Sequence, residues 1–135
     1  MVDNADLLGQ VSLFNGLTHD DLVALGSHMR ETYFAAGDVV VREGTRGARV
    51  LAFFVILDGT VTVSVEGEPR TTLSMGDYFG EIGLLLDAPR TATVVADTEL
   101  HCSAMSAWDF RGFIDEYPAV HSALARTLEA RLRVL

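Results

Sequence analysis

Between Thr32 and Met105 the chain is a succession of short β-branched and aromatic runs, most of them closed by a glycine-bearing turn. The runs are Tyr33-Phe34, Asp38 to Arg42, Val50 to Leu57, Thr60 to Glu66, Arg70 to Ser74, Ala92 to Ala96 and Glu99 to Met105. Turn chemistry sits between them at Ala36-Gly37, Glu43-Gly44-Thr45-Arg46-Gly47, Asp58-Gly59, Glu66-Gly67-Glu68-Pro69 and Asp97-Thr98. Asp58-Gly59 carries the strongest two-residue hairpin signal. Thr60 to Val65 alternates strictly, which predicts one buried and one polar face. Many short strands with regular turns indicate an antiparallel, jelly-roll-like β-barrel of about eight strands.

Helices flank this region. Residues 4 to 9 predict one short helix with Asn4 as its cap, and Val11 to Leu17 an irregular apolar connector. Thr18 caps a second helix, with Asp20 and Asp21 in the first turn, where the macrodipole favours anions. Leu22, Leu25 and Met29 fall on one face of it, and Arg30 lies near its end. Ser106 caps a helix from Ala107 to Asp115, in which Trp108 and Phe113 read as core. Pro118 opens a final helix, a position where its missing N–H costs nothing. Val120, Leu124, Leu128, Leu132 and Leu135 form a stripe along that helix, which can pack on the barrel or form a dimer. The expected layout is a single domain over 1–135, with N-terminal helices to 31, the barrel at 32–105 and C-terminal helices at 106–135.

Charge and composition narrow the function. The net charge is −9, and all ten basic residues are arginines. Non-specific binding to nucleic acid needs a surplus of phosphate-neutralising charge, so no direct nucleic-acid partner is expected. Cys102 is the only cysteine and reads as a small buried apolar residue. The longest apolar run, Val50 to Leu57, falls well short of the roughly 20 residues that span a bilayer. The acidic start lacks the basic and apolar parts of a signal peptide. A cytoplasmic protein is the expectation. The four histidines, His19, His28, His101 and His121, are scattered without the close pair of a metal site. No nucleophile stands beside a base in a recognisable motif, so no enzyme and no metal or cofactor is expected.

The stretch Gly76 to Thr93 carries the chemistry. It holds two glycines, a carboxylate at Glu81, a short apolar turn, and Pro89-Arg90-Thr91 just before a β-branched strand. Glycines let a backbone approach a ligand closely, and amides opening a helical turn favour an anion. Arginine grips phosphate in a bidentate fork, and a carboxylate accepts from hydroxyls. That set suits a sugar phosphate.

Phe79-Gly80-Glu81-Ile82-Gly83-Leu84 joined to Pro89-Arg90-Thr91-Ala92-Thr93 resembles the phosphate-binding cassette of the cyclic nucleotide-binding domain family. Leu13 to Leu17, Gly37 to Gly44 and Val55 to Gly59 are similar to that family's N-terminal helices, early strands and central hairpin. The resemblance implies roles residue by residue. Glu81 holds the ribose 2′-hydroxyl and Arg90 neutralises the cyclic phosphate. The backbone amides of Gly80, Ile82 and Gly83 face phosphate and ribose. Thr91 touches the phosphate and can reach a guanine amino group, so cAMP and cGMP both remain open. Val63, Thr71 and Leu73 line the base pocket, and Leu84 packs on a hinge helix against Phe110. Gly83 stands where the family more often has alanine.

Arg131 lies on the apolar side of the last helix, at about 3.6 residues per turn, opposite Arg126, Glu129 and Arg133. It either satisfies the helix's last carbonyls or, as in the channel branch of the family, caps the purine. The implied function is a sensor that moves its C-terminal hinge and lid helices when cAMP or cGMP binds, and signals to an unidentified effector protein or domain. The alternatives are a nucleotide-free scaffold that retains the fold, or the sensor part of a longer transcription factor or channel.

Overall fold

A computed structural model describes residues 4–45, 53–80 and 89–134, with the backbone alone at 4, 127, 128 and 131–134. Helix α1 spans Asn4–Gly9 and a 3₁₀ turn follows at Ser12–Phe14. Helix α2 spans His19–Ser27. Among the described residues eight strands come next: β1 Arg30–Phe34, β2 Val39–Val41, β3 Phe53–Asp58, β4 Val61–Val65, β5 Glu68–Leu73, β6 Tyr78–Phe79, β7 Thr93–Ala96 and β8 Leu100–Met105. Helix α3 covers Ala107–Glu116 and α4 covers Pro118–Val134. Strand structure therefore begins at Arg30, which the sequence had assigned to the end of the second helix.

The strands form two antiparallel four-stranded sheets, ordered β1-β8-β3-β6 and β2-β7-β4-β5. The chain passes repeatedly from one sheet to the other, which makes the architecture jelly-roll-like. Side chains alternate across a strand, and β3 uses both of its faces. Phe54 and Ile56 enter the core between the sheets, with Val61, Val63, Val94 and Cys102. Phe53, Val55 and Leu57 enter a second core, roofed by the helices through Leu8, Phe14, Phe110, Phe113, Val120 and Leu124. Burial of each such side chain stabilises the fold by roughly 1.5–3 kcal/mol. Burial also pushes the Cys102 thiol up to about 12.

The last helix thus packs its first two stripe residues on the helical layer and the outer face of β3. Phe113 is core as expected. Trp108 is not: it is 84% exposed on α3. It sits two residues before Phe110, a spacing that turns it away from the face that Phe110, Phe113 and Ile114 bury.

The hairpin expected at Asp58-Gly59 is a sheet-to-sheet corner, because β3 and β4 lie in different sheets. Gly59 is required there for two reasons. Its φ is +100°, and a Cβ would run into the carbonyl oxygen of Glu99. The neighbouring corner is bound to it: Asp97 N–H donates to Thr60 O at 2.9 Å, and Thr60 N–H donates to Thr98 Oγ1 at 3.1 Å. The two-residue hairpin is Glu66-Gly67 between β4 and β5, where Val65 faces Glu68. Both turn residues have positive φ, +52° and +81°, as a type I′ turn requires.

Helix α2 opens on a capping box. Asp21 N–H donates to Thr18 Oγ1 at 3.1 Å and Thr18 N–H to Asp21 Oδ2 at 3.0 Å. Tyr117 O–H reaches Asp21 Oδ1 at 3.3 Å, tying α2 to the α3–α4 junction. The Thr18 backbone N–H above all holds the Asp21 carboxyl below the usual aspartate value; burial opposes it, and the Thr18 and Tyr117 side chains add to the lowering.

Two outcomes follow for stability. A depressed carboxyl contributes stability above its unfolded pKa of about 3.9, and loses it as pH falls through the lower folded value. Chemical denaturation from pH 7 down to pH 3 should therefore show a flatter acid limb for Asp21→Asn than for the unaltered chain. Gly59→Ala should lower thermal stability by more than Gly37→Ala. Both glycines have positive φ, a strain on the order of 1–3 kcal/mol for other residues, but only Gly59 has backbone in the way of a Cβ. Equal losses in a melting experiment would contradict the corner contact.

Candidate functional site

The stretch Gly76 to Thr93 is anchored to the sheets at both ends. Its leading turn is closed by Asp77, whose Oδ2 accepts from Ser74 N–H at 2.9 Å. Gly76 N–H donates to Ile56 O at 2.9 Å, and Ile56 N–H to Asp77 O at 2.8 Å. Strand β6 then pairs with β3, Tyr78 opposite Val55 and Phe79 opposite Phe54. The Phe54 and Phe79 rings stack with centroids 5.0 Å apart. Gly80 follows at φ +97°, in a region that glycine adopts without steric cost.

The trailing end is held by the turn after β2. Gly44 N–H donates to Arg90 O at 2.8 Å, and Arg90 N–H donates to Thr45 O at 2.9 Å. Glu43 N–H donates to Thr93 Oγ1 at 3.0 Å. The half-buried Arg90 side chain points back across the stretch, where Nη1 donates to Gly80 O at 2.9 Å. Arg90 and Gly80, ten positions apart in sequence, are thus brought together. A guanidinium so placed has the fixed fork that binds phosphate oxygens bidentately.

The β4–β5 hairpin joins the strand that follows Arg90, since Ser64 of β4 is opposite Thr93 of β7. Val63 is opposite Thr71 on β5 and opposite Val94 on β7, and Val61 is opposite Leu73. Residues directly opposite share a face, so Val63, Thr71 and Leu73 look toward the space between the sheets. Val63 is buried and Leu73 half-buried, while Thr71 is exposed. An inward-facing residue that remains exposed marks uncovered sheet. The wall there is apolar with one hydroxyl, a surface suited to a flat ring with polar edges. Thr91 is half-buried, next to Arg90 and before the core residue Ala92.

Six of the expected residues are placed in this way: Gly80, Arg90, Thr91, Val63, Thr71 and Leu73. Glu81, Ile82, Gly83 and Leu84 lie outside the described residues. Phe110 is in the described core, with its ring 4.8 Å from that of Phe53. Arg131 is in α4, and its side chain is outside the description. Sequence reasoning missed Gly44 and Thr45, which hold Arg90 by its backbone, and Glu43, which binds Thr93 beside them. A Glu-Gly pair after a strand is a generic turn signal, and nothing in its spacing links it to residue 90.

Comparison with known proteins identifies the family. A family model described as the cyclic nucleotide-binding domain matches residues 31–117. The chain belongs to the cyclic nucleotide-binding domain family. It is 33% identical over 126 residues to the potassium/sodium hyperpolarization-activated cyclic nucleotide-gated channel 4 of Homo sapiens, a match that covers 93% of this chain and 10% of the channel. Channel 3 of Mus musculus is 34% identical over 127 residues, covering 94% of this chain and 16% of that one. The chain therefore spans a small part of these relatives' length.

Among solved structures, cAMP-bound PfPKA-R (141–441) superposes with a TM-score of 0.88 at 25% identity, covering 97% of this chain and 44% of that one. The Thermus thermophilus catabolite activator protein gives 0.77 at 27% identity, covering 90% and 58%. The regulatory subunit of a cAMP-independent protein kinase A from Trypanosoma brucei gives 0.80 at 25% identity, covering 91% and 43%. These relatives are channels, kinase regulatory subunits and an activator protein. No helix among the described residues is long and apolar enough to cross a membrane.

Proposed function

We propose that this domain is a sensor that binds a cyclic purine nucleotide, cAMP or cGMP, and acts through its C-terminal helices rather than by catalysis. The observation that carries the reading is the placement of Arg90: half-buried, clamped through its own N–H and C=O, and bonded to Gly80, on the segment that leads into the strand paired with β4. Arg90 takes the cyclic phosphate, with the amides of Gly80, Ile82 and Gly83. Glu81 takes the ribose 2′-hydroxyl. Val63, Thr71 and Leu73 take the base, Thr91 lies at its edge, and Arg131 covers it from the last helix. Phosphate binding draws in the cassette, Leu84 moves, and the Phe110 helix follows it. A nucleotide shifts that equilibrium only by its differential affinity for the closed form. The effector is an unidentified protein or domain.

The family fold does not by itself specify cAMP, since a cAMP-independent kinase regulatory subunit shares it. Calorimetry with cAMP, cGMP and AMP is therefore the direct test. Saturable binding of a cyclic nucleotide, weakened about 10- to 150-fold in a folded Arg90→Ala variant, is the expected result; the factor corresponds to one charge-assisted contact of about 1.5–3 kcal/mol. Thr91→Ala should weaken cGMP more than cAMP. Binding of neither nucleotide would leave a nucleotide-free interaction domain as the reading to pursue, and unchanged affinity in Arg90→Ala would remove the arginine from the site.

A further inference from the structure

The two walls of the site belong to different segments, and one carboxylate joins them. The hairpin β4–β5 carries Val63, Thr71 and Leu73. The turn after β2 holds the backbone of Arg90. Glu43, half-buried on that turn, bonds in both directions. Its N–H donates to Thr93 Oγ1 on the strand that follows Arg90. Its carboxylate Oε1 accepts the N–H of Glu66 at 2.9 Å, at the tip of the hairpin.

We propose that Glu43 is a positioning residue that sets the spacing between the phosphate arginine and the base wall, a role that rests on the nucleotide-binding reading above. The geometry is specific. Arg42 O accepts from both the N–H and the hydroxyl of Thr45, at 3.3 and 2.7 Å, so the turn carrying Glu43 is closed on itself. Gly44 and Thr45 of the same turn bind Arg90 by its C=O and N–H. The hairpin tip, in turn, has a non-glycine residue at positive φ, Glu66 at +52°. That conformation is disfavoured for residues other than Gly, Asn and Asp, and the hydrogen bond from its N–H to Glu43 helps to hold it. Without the carboxylate, the hairpin and the arginine turn remain folded but lose the described side-chain link from Glu43 to Glu66.

The role is one of geometry and not of charge, and the two have opposite signs. A carboxylate close to a phosphate site opposes an anion, so a purely electrostatic Glu43 would give tighter binding when neutralised. A positioning Glu43 gives weaker binding when the acceptor is removed and normal binding when it is kept. Glu43→Ala should weaken cAMP or cGMP by about 2- to 13-fold, the effect of one hydrogen bond. Glu43→Gln retains an acceptor oxygen and should stay within about 2-fold of the unaltered domain. In an Arg90→Ala background, Glu43→Ala should have no further effect, as for two residues that act through one another.

Amide hydrogen exchange on the unliganded domain supplies a readout that needs no nucleotide. Glu43→Ala should speed exchange at Glu66, Gly44 and Arg90 while leaving the β3 amides protected, and Glu43→Gln should restore the slow rates. Tighter binding in both Glu43 variants, full additivity with Arg90→Ala, or unchanged exchange at Arg90 would each overturn the proposal. If the unaltered domain binds neither nucleotide, the functional reading fails. The exchange rates alone then decide whether Glu43 couples hairpin to turn.

Discussion

Strand β3 is buried on both faces, and the two cores take their positions from it. Phe54 and Ile56 hold the sheets together, while Phe53, Val55 and Leu57 hold the helices to the first sheet. An antiparallel strand more often has one wet face. A strand without one reads as a continuous apolar run, as Val50 to Leu57 does. The same strand pairs with β8 on one side and with β6 on the other. The leading end of the cassette therefore sits at a place set by a strand buried on both faces, and the Phe53 ring packs against that of Phe110 on α3.

The trailing end is held by different means. Arg90 lies outside any strand, and its backbone is satisfied by a turn that is remote in sequence. Buried or half-buried backbone needs such partners. Here they also fix the point from which the Arg90 side chain reaches Gly80. The two described ends of the stretch are thus held by different partners, the leading end by strand β3 and the trailing end by a hydrogen-bonded turn.

Much of this was legible in the chain itself. The strand runs, the Thr18 and Ser106 caps, the alternation of β4 and the two-part cassette all rest on local chemistry, and local chemistry is what sequence displays. The misread features depend on distant partners. Asp58-Gly59 looks like a hairpin turn, but its glycine is needed because Glu99 lies against it from another corner. Glu66-Gly67 makes the hairpin with a glutamate where asparagine or aspartate is the usual signal. Trp108 looks like core by composition and is turned outward by the helix period. Glu43 is invisible as a site residue, since its importance comes from Glu66 and Thr93, each more than 20 positions away.

The central claim is that Arg90 and the β4–β5 wall together form a cyclic nucleotide pocket. Backbone amide shifts followed during titration with cAMP and with cGMP test it most directly. The account predicts saturable shifts concentrated at Gly80, Arg90 and Thr91 and at the inward-facing Val63, Thr71 and Leu73, with smaller changes spreading into the helices around Phe110. Saturable shifts that leave Arg90 and the β4–β5 hairpin untouched would contradict it.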